Sequence, residues 1–305
     1  MSILELLRQH GEIARTSTLI QKGGTKRDIA ATVAQGSVVR VMKGWVASRQ
    51  ADAEQLTAVR SGGRLGCISA LARWGVWAAD DRSPHIAMSQ HGRRLSDVRM
   101  AGSTEAVMHP RAPVDTGTRP RLDRPCCFHW SQPAGTENDL DWIVRPFDAV
   151  KQAVYCQNLE HAVACVDSAL HHGVLTAEEW ATIATALPTT FDECVSLIDG
   201  RADSGLESRI RVRLQKLGHR VDVQVPVPGF GKLDLLVDDR VGLELDGDRF
   251  HSTADQRRRD LAKGLISLRF GIPIIRAGYV HAIDDWDLVY EALRRMLDLT
   301  ALRVA

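Results

Sequence analysis

No run of about 18 apolar residues occurs in the 305-residue sequence, so nothing in it reads as a membrane-spanning helix. The first ten residues carry Glu5 within their apolar stretch, which argues against a secretion signal and for a cytoplasmic location. Cysteine is scarce. The six present (Cys67, Cys126, Cys127, Cys156, Cys165 and Cys194) show no CxxC spacing, so neither a zinc cluster nor a redox pair is expected. They read as reduced thiols, mostly small core residues. The adjacent Cys126 and Cys127, just before Phe128-His129-Trp130, read as structural residues of a strand. Also missing is any excess of one charge: 39 Lys and Arg face 38 Asp and Glu, for a formal net of +1. That total gives no hint of a nucleic-acid partner. Internal repeats and low-complexity tracts are absent as well. What remains is ordinary: 44% hydrophobic and 25% charged residues, the composition of a globular chain. At about 100–200 residues per domain, the length suggests two or three compact parts.

Charge divides unevenly along the chain. Residues 1–49 hold eight Lys/Arg against three acids, a net of +5; residues 50–200 carry −6 and residues 201–305 carry +2. The neutral total hides a basic head. Ile3, Leu4, Leu6 and Leu7 recur at helical spacing before Gly11. A second short helix, capped by Thr16 or Ser17, runs to Ile20. Thr25 caps a third, from Lys26 to Ala34, with Ile29 and Val33 on its buried face. Val38 to Val41 and Trp45 to Ala47 flank Met42-Lys43-Gly44 as a small hairpin. Three helices and a hairpin make a winged helix-turn-helix domain over 1–49.

The middle, 50–200, reads as α+β. Ser69 to Trp77 is a buried helix, and short strands are expected at 85–88, 105–109 and 128–130. Pro- and Gly-rich joints separate them, and 131–136 is a turn or loop. Helices follow over 149–155, 159–171 and 176–186, the last behind a Thr176…Glu179 capping box.

The last part, 201–305, is the most regular. Ser204 and Glu207 form a capping box before a helix with Leu206, Ile210, Leu214 and Leu217 on one stripe. Strands are expected at 221–225, 233–237 and 241–246. A long helix over 254–270, a fourth strand at 271–275 and a final helix over 286–297 complete an αβββαβα order, an α/β sandwich.

Asp234 sits on the second of these strands, and Glu244 and Asp246 sit two apart on the third, leaving one face. Crowded carboxylates repel, and a fold keeps them where a hard divalent cation fills the gap. Mg²⁺ suits one or two carboxylates with water and phosphate. Asp234, then Glu244-Leu245-Asp246-Gly247-Asp248-Arg249-Phe250-His251, then Arg257-Arg258-Arg259-Asp260, Gly271 and Arg276, resemble the PD-(D/E)XK restriction-endonuclease fold. The likeness is greatest to the branch of very-short-patch-repair endonucleases. The resemblance covers about 200–300 and implies Asp234 and Glu244 as metal ligands, with Glu207 as a further ligand. Asp246 stands where the family's pattern has a catalytic Lys, a departure. His251 would serve as general base or leaving-group acid. Plainer roles stand beside these: Glu207 as a capping acid, Asp246-Gly247 as a turn, and Arg257 to Arg259 as a solvated helix face. His171 and His172, at a helix end, are assigned no chemistry.

The run Gly36-Ser37-Val38-Val39-Arg40-Val41-Met42-Lys43-Gly44-Trp45-Val46 resembles the wing of AbiEi-type antitoxins, and the middle region fits the longer proteins of that kind loosely. Lys26 and Arg27 would then meet the major groove of double-stranded DNA, with Arg40 and Lys43 beside phosphates. Two functions follow as expectations. One is a Mg²⁺-dependent DNA endonuclease. The other is a non-catalytic regulator, an antitoxin with a cognate toxin that represses its own toxin–antitoxin operon.

Overall fold

The computed structural model describes residues 1–79, 83–89, 125–130, 140–246 and 265–301. The strand expected at 105–109, the turn at 131–136, His251 and the 257–260 run lie outside the described residues. The chain is mixed α/β and divides into two compact units. One comprises Met1–Cys156 with Glu178–Ile183, the other Gln157–Ala177 with Ala184–Ala305.

In the first unit, α1 (Ile3–Gln9) starts at a reciprocal capping box between Ser2 and Glu5. It is followed by β1 (Ile13–Arg15), α2 (Thr16–Gln21), α3 (Lys26–Ala34), β2 (Val38–Met42) and β3 (Trp45–Ser48). Thr25 caps α3 by accepting from the Asp28 N–H. The cap of α2 is Arg15, whose side chain makes no capping bond; Thr16 is already helical, and its N–H donates to the Gly44 carbonyl. The three strands form one antiparallel sheet in the order β1-β3-β2. Strand β1 was not anticipated: three residues are too few for alternation to register. Ile3, Leu6, Leu7, Ala14, Leu19, Ile29, Val38 and Val46 form the core here.

A further helix, α4 (Ala53–Arg60), also unanticipated, starts at an Asp52–Gln55 capping box. Next come β4 (Arg64–Leu65), α5 (Cys67–Arg73), β5 (His85–Met88), β6 (Cys127–Trp130) and α6 (Pro146–Cys156). In the sheet β4-β5-β6, the β5–β6 pairing is parallel, with His85 opposite Cys127 and Ala87 opposite His129.

The chain continues through α7 (Leu159–His171), α8 (Ala177–Thr185), α9 (Asp192–Ser196) and α10 (Gly205–Lys216). In the second unit, α7 and α10 pack together around a buried Asp167–Arg211 ion pair. Strands β7 (Val221–Val227), β8 (Gly231–Val237), β9 (Val241–Asp246) and β10 (Ile274–Gly278) form a sheet in the order β10-β9-β8-β7. Only the β9–β10 pair is parallel. One side of the sheet packs Val223, Leu235, Val237, Leu243 and Leu245 with Leu206, Ile210 and Leu214 of α10. Val289, Leu293 and Leu297 of α12 (Trp286–Ala301) join the same core, and α11 (Tyr279–Ile283) was not foreseen.

Several boundaries move from expectation; the helix expected at 69–77 runs Cys67–Arg73. The gap between the strands expected at 221–225 and 233–237 shrinks, because Pro226 pairs with Lys232 and Val227 with Gly231. The fourth strand begins at Ile274 instead of Gly271. Gly271, at φ +74°, closes the helical turn at 265–269, and the Ile272 N–H donates back to the Ser267 carbonyl. Gly271 is thus the left-handed C-cap of that helix.

Candidate functional site

In the second unit the antiparallel ladders open along one transverse line. Pairing of β7 with β8 skips Gln224 opposite Asp234, and pairing of β8 with β9 stops at Leu235 opposite Leu243. Gln224 takes a left-handed φ of +52°, unusual for a side chain larger than glycine. Acid side chains replace the missing ladder bonds. The Asp234 N–H donates to Glu244 Oε1 at 3.3 Å, and the Leu245 N–H donates to Asp234 Oδ2 at 2.7 Å. On the far side of Glu244, Arg276 of β10 lies in register with it. A polar row of Gln224, Asp234, Glu244 and Arg276 therefore crosses the four strands.

Helix α10 delivers Glu207 to the same place. Gln224 Nε2 donates to Glu207 Oε2 at 2.9 Å, the Asp203 N–H donates to the same oxygen at 3.1 Å, and the Ser204 hydroxyl donates to Oε1 at 2.8 Å. Ser204 caps α10 by accepting from the Glu207 N–H. The acid's own side chain returns to Asp203 and to the Ser204 hydroxyl, so the capping role and the site role coexist. Glu207 is 4% exposed and Glu244 8%. Burial, and then the neighbouring Asp234 charge, pushes the Glu207 carboxyl above its ordinary range against the three hydrogen bonds it accepts. The Asp234 charge thus reaches Glu207, and Asp234 and Glu244 are linked through the Asp234 N–H. Asp246, last in β9 and two residues beyond Glu244, is exposed.

Oxygen donors of this kind match a hard cation. They do not, however, make a mutually close ligand set. Among the described residues, the group of His, Cys, Asp or Glu whose ligand atoms all lie within 4.8 Å of one another is Cys67, His85, His129 and Cys156.

That second group belongs to the first unit and comes from four elements. Cys67 opens α5, His85 opens β5, His129 lies in β6, and Cys156 ends α6. The parallel β5–β6 register puts His85, Cys127 and His129 on one face of the sheet, since residues two apart share a face. Cys126 therefore points the other way, and it is buried. His85 Nδ1 lies 3.1 Å from His129 Nε2 and 3.8 Å from Cys156 Sγ, and the two imidazole rings stack with centroids 5.3 Å apart. Cys127 Sγ stands 3.6 Å from His129 Nε2. Cys67 has φ +47° and is held there by the Gln152 Oε1, which accepts from its N–H at 2.8 Å. Hydrogen bonds from Cys127 and Cys67, followed by His129 and His85, hold the Cys156 thiol far below the ordinary thiol range despite burial. Sequence reasoning missed this group because it sought ligands in CxxC spacing. The usable signal was the pair Cys127 and His129, two apart in a strand.

The basic residues of the head lie where the helix and hairpin assignment put them. Lys26 and Arg27 are exposed in the first turn of α3, Arg40 is exposed on β2, and Lys43 is exposed in the β2–β3 turn. Among the described residues, no helix is long and apolar enough to cross a membrane. No protein-family model matches the chain, and no curated protein is significantly similar to it.

Proposed function

We propose that the chain binds duplex DNA through its basic head and hydrolyses phosphodiesters in its C-terminal part, as a restriction-endonuclease-like fold would. The observation that carries this reading is the row at which the ladders open, where Asp234 and Glu244 stand side by side and the Asp234 charge reaches the buried Glu207. Three acids gathered from two strands and a helix cost electrostatic energy that packing alone does not require. Asp234 and Glu244, with Glu207, would hold a divalent cation of the Mg²⁺ kind. Such an ion, when bound, supplies a more acidic water and offsets charge on the phosphate. The chain's own contribution is positioning. Asp234 and Glu244 are fixed by the backbone N–H groups of Leu245 and Asp234, while Gln224 and Ser204 aim Glu207. Arg276, in register beside Glu244, places a cation at the same edge for a phosphate.

The three helices and the β1-β3-β2 sheet support a winged-helix reading of the head. If Lys26, Arg27, Arg40 and Lys43 each neutralise one phosphate, log affinity falls with log salt at a slope of about −3.6. Replacing Lys26 and Arg27 together with Ala reduces that slope by about 1.8, and an unchanged slope removes the head from the interface.

Nicking of supercoiled and linear duplex DNA by the purified chain with Mg²⁺ or Mn²⁺ tests the hydrolytic reading. Activity should disappear in Asp234→Ala and in Glu244→Gln. Cleavage that persists in Asp234→Ala refutes the assignment. One observation favours a second reading: Asp246 occupies the place where the resembled nuclease pattern has a Lys. Under that reading the chain is a non-catalytic antitoxin or operon autorepressor, and it protects a DNA site upstream of its own gene without cutting any substrate.

A further inference from the structure

We propose that Cys67, His85, His129 and Cys156 form a structural zinc site that ties together the first unit. The inference is independent of the nuclease reading, for it uses other residues. Its warrant is the convergence of two thiols and two imidazoles, with all four ligand atoms within 4.8 Å of one another. Zn²⁺ binds thiolate sulfur at about 2.3 Å and imidazole nitrogen at about 2.0–2.1 Å, usually with four ligands in a tetrahedron. A tetrahedron with those bond lengths has a nitrogen–nitrogen edge of about 3.3 Å and a nitrogen–sulfur edge of about 3.6 Å. The separations here are 3.1 Å between His85 Nδ1 and His129 Nε2, and 3.8 Å between His85 Nδ1 and Cys156 Sγ. Each edge departs from the ideal by about 0.2 Å, within the rearrangement a rotamer adjustment allows.

The donor set selects the metal. Two sulfurs and two nitrogens gathered within 4.8 Å of one another suit Zn²⁺ and disfavour Mg²⁺ or Ca²⁺, which demand oxygen. A fully protein-supplied set of four leaves no open position, as in sites that stabilise rather than catalyse. Burial agrees: Cys67 and His85 are 0% and 1% exposed, while His129 and Cys156 are half-buried at the edge. The surroundings fix the first ligand as a binding site must. Gln152 accepts from the Cys67 N–H and holds that residue in its left-handed conformation. Ser69 Oγ accepts from the His85 N–H at 3.0 Å, holding the start of β5 against α5. The ligands come from α5, β5, β6 and α6, so one ion would cross-link four elements, and their cysteines are all free thiols.

The test uses the full chain, purified without added chelator, with metal content measured by elemental analysis. The wild type should hold one zinc ion per chain, as should Cys194→Ser, which changes a buried cysteine of the other unit. His129→Ala and Cys156→Ser should hold none. His129→Ala is the variant of choice if Cys156→Ser proves insoluble, because His129 is half-buried. Chelation should lower the wild-type unfolding temperature and leave that of His129→Ala unmoved. Cobalt substitution should give tetrahedral absorption bands with thiolate charge transfer. Absence of zinc from wild-type protein refolded with zinc overturns the proposal, as does a cobalt spectrum without thiolate bands. Loss of zinc in Cys127→Ser with retention in His129→Ala overturns the ligand assignment. Thiol titration showing Cys67 and Cys156 joined as a disulfide in metal-free native protein also overturns it.

Discussion

Removing the Asp167 carboxylate should unfold the second unit at far lower denaturant than the wild type requires. Asp167 on α7 is 0% exposed, and one of its oxygens accepts both from Arg211 Nη2 at 2.7 Å and from the Ser208 hydroxyl at 2.7 Å. Its other oxygen accepts from the Asp199 N–H at 2.7 Å. Asp167→Ala leaves a buried guanidinium, a hydroxyl and an amide without this acceptor. Among the described residues, Arg211 keeps only the 3.1 Å bond from Nη1 to Gln215, and its Nε has no partner. Breaking a buried ion pair from one side costs about 3–5 kcal/mol. Against a total stability of about 5–15 kcal/mol that is a large share. At an m value of about 2 kcal/mol/M, the urea midpoint of the second unit should fall by about 2 M. The double variant Asp167→Leu with Arg211→Met replaces the pair by apolar groups of similar size and should recover most of the loss. Ser208 and Arg211 both lie on α10, one and four residues beyond Glu207, so the same pair sets the orientation of the acid-bearing helix. DNA-nicking activity should accordingly fall in Asp167→Ala below its midpoint, while Leu/Met restores it. A midpoint shift under about 0.5 M for Asp167→Ala would refute the reasoning.

Three shorter expectations follow from other parts of the chain. Burial first, then the Arg209 charge, lowers the His161 pKa to about 4 against the pull of Glu160. The unfolded chain therefore takes up a proton that the folded chain refuses, and stability is lost as pH falls from about 6.5 towards 4. The wild-type urea midpoint should fall relative to that of His161→Gln as pH drops across that window, and a constant difference contradicts the assignment. A Cβ on Gly66 would lie 2.5 Å from Gln152 Oε1 and 2.8 Å from the Ala87 Cβ. Gly66→Ala should cost about 1–3 kcal/mol and weaken metal retention through the displaced Gln152, both readable in one thermal melt with and without chelator. Gly11→Ala should destabilise the first unit as well. Gly11 sits at φ +74°, and a Cβ there would lie 2.7 Å from the Trp142 ring. A melting temperature equal to wild type would contradict that.

How much of this was legible depended on how local each contact is. Strands 85–88 and 241–246 and helices 26–34 and 159–171 were readable because alternation, caps and apolar stripes act within a few residues. Strand β1 escaped notice because its three residues are held by β3, thirty residues on. Gly271 was read as the start of a strand because glycine beside an apolar run fits either reading, and only the left-handed φ that closes the preceding helix decides. The 50–200 expectation did not anticipate that α7 would pack on α10, a contact that includes the buried Asp167–Arg211 pair.

The two candidate sites differ in the same way. Asp234 and Glu244 are ten residues apart and joined by one hairpin, so antiparallel register alone brings them opposite each other once the strands are assigned. Gln224, a further ten residues upstream, belongs to the same row, but an amide carries no charge to draw attention to it. The four Cys and His ligands obey no such rule. Their convergence needs the parallel pairing of β5 with β6, which sets His85 opposite Cys127, and the packing of α5 against α6, which brings Cys67 to Cys156. Parallel pairing is non-local by construction, because a crossover must return the chain to the same end of the sheet. A spacing rule for metal ligands detects sites built on one turn or one hairpin. It is blind to a site whose ligands each come from a different element. In such a fold, the sign that survives in the sequence is parity: Cys127 and His129 leave one face of a strand together, and two potential ligands on one face ask what else that face meets.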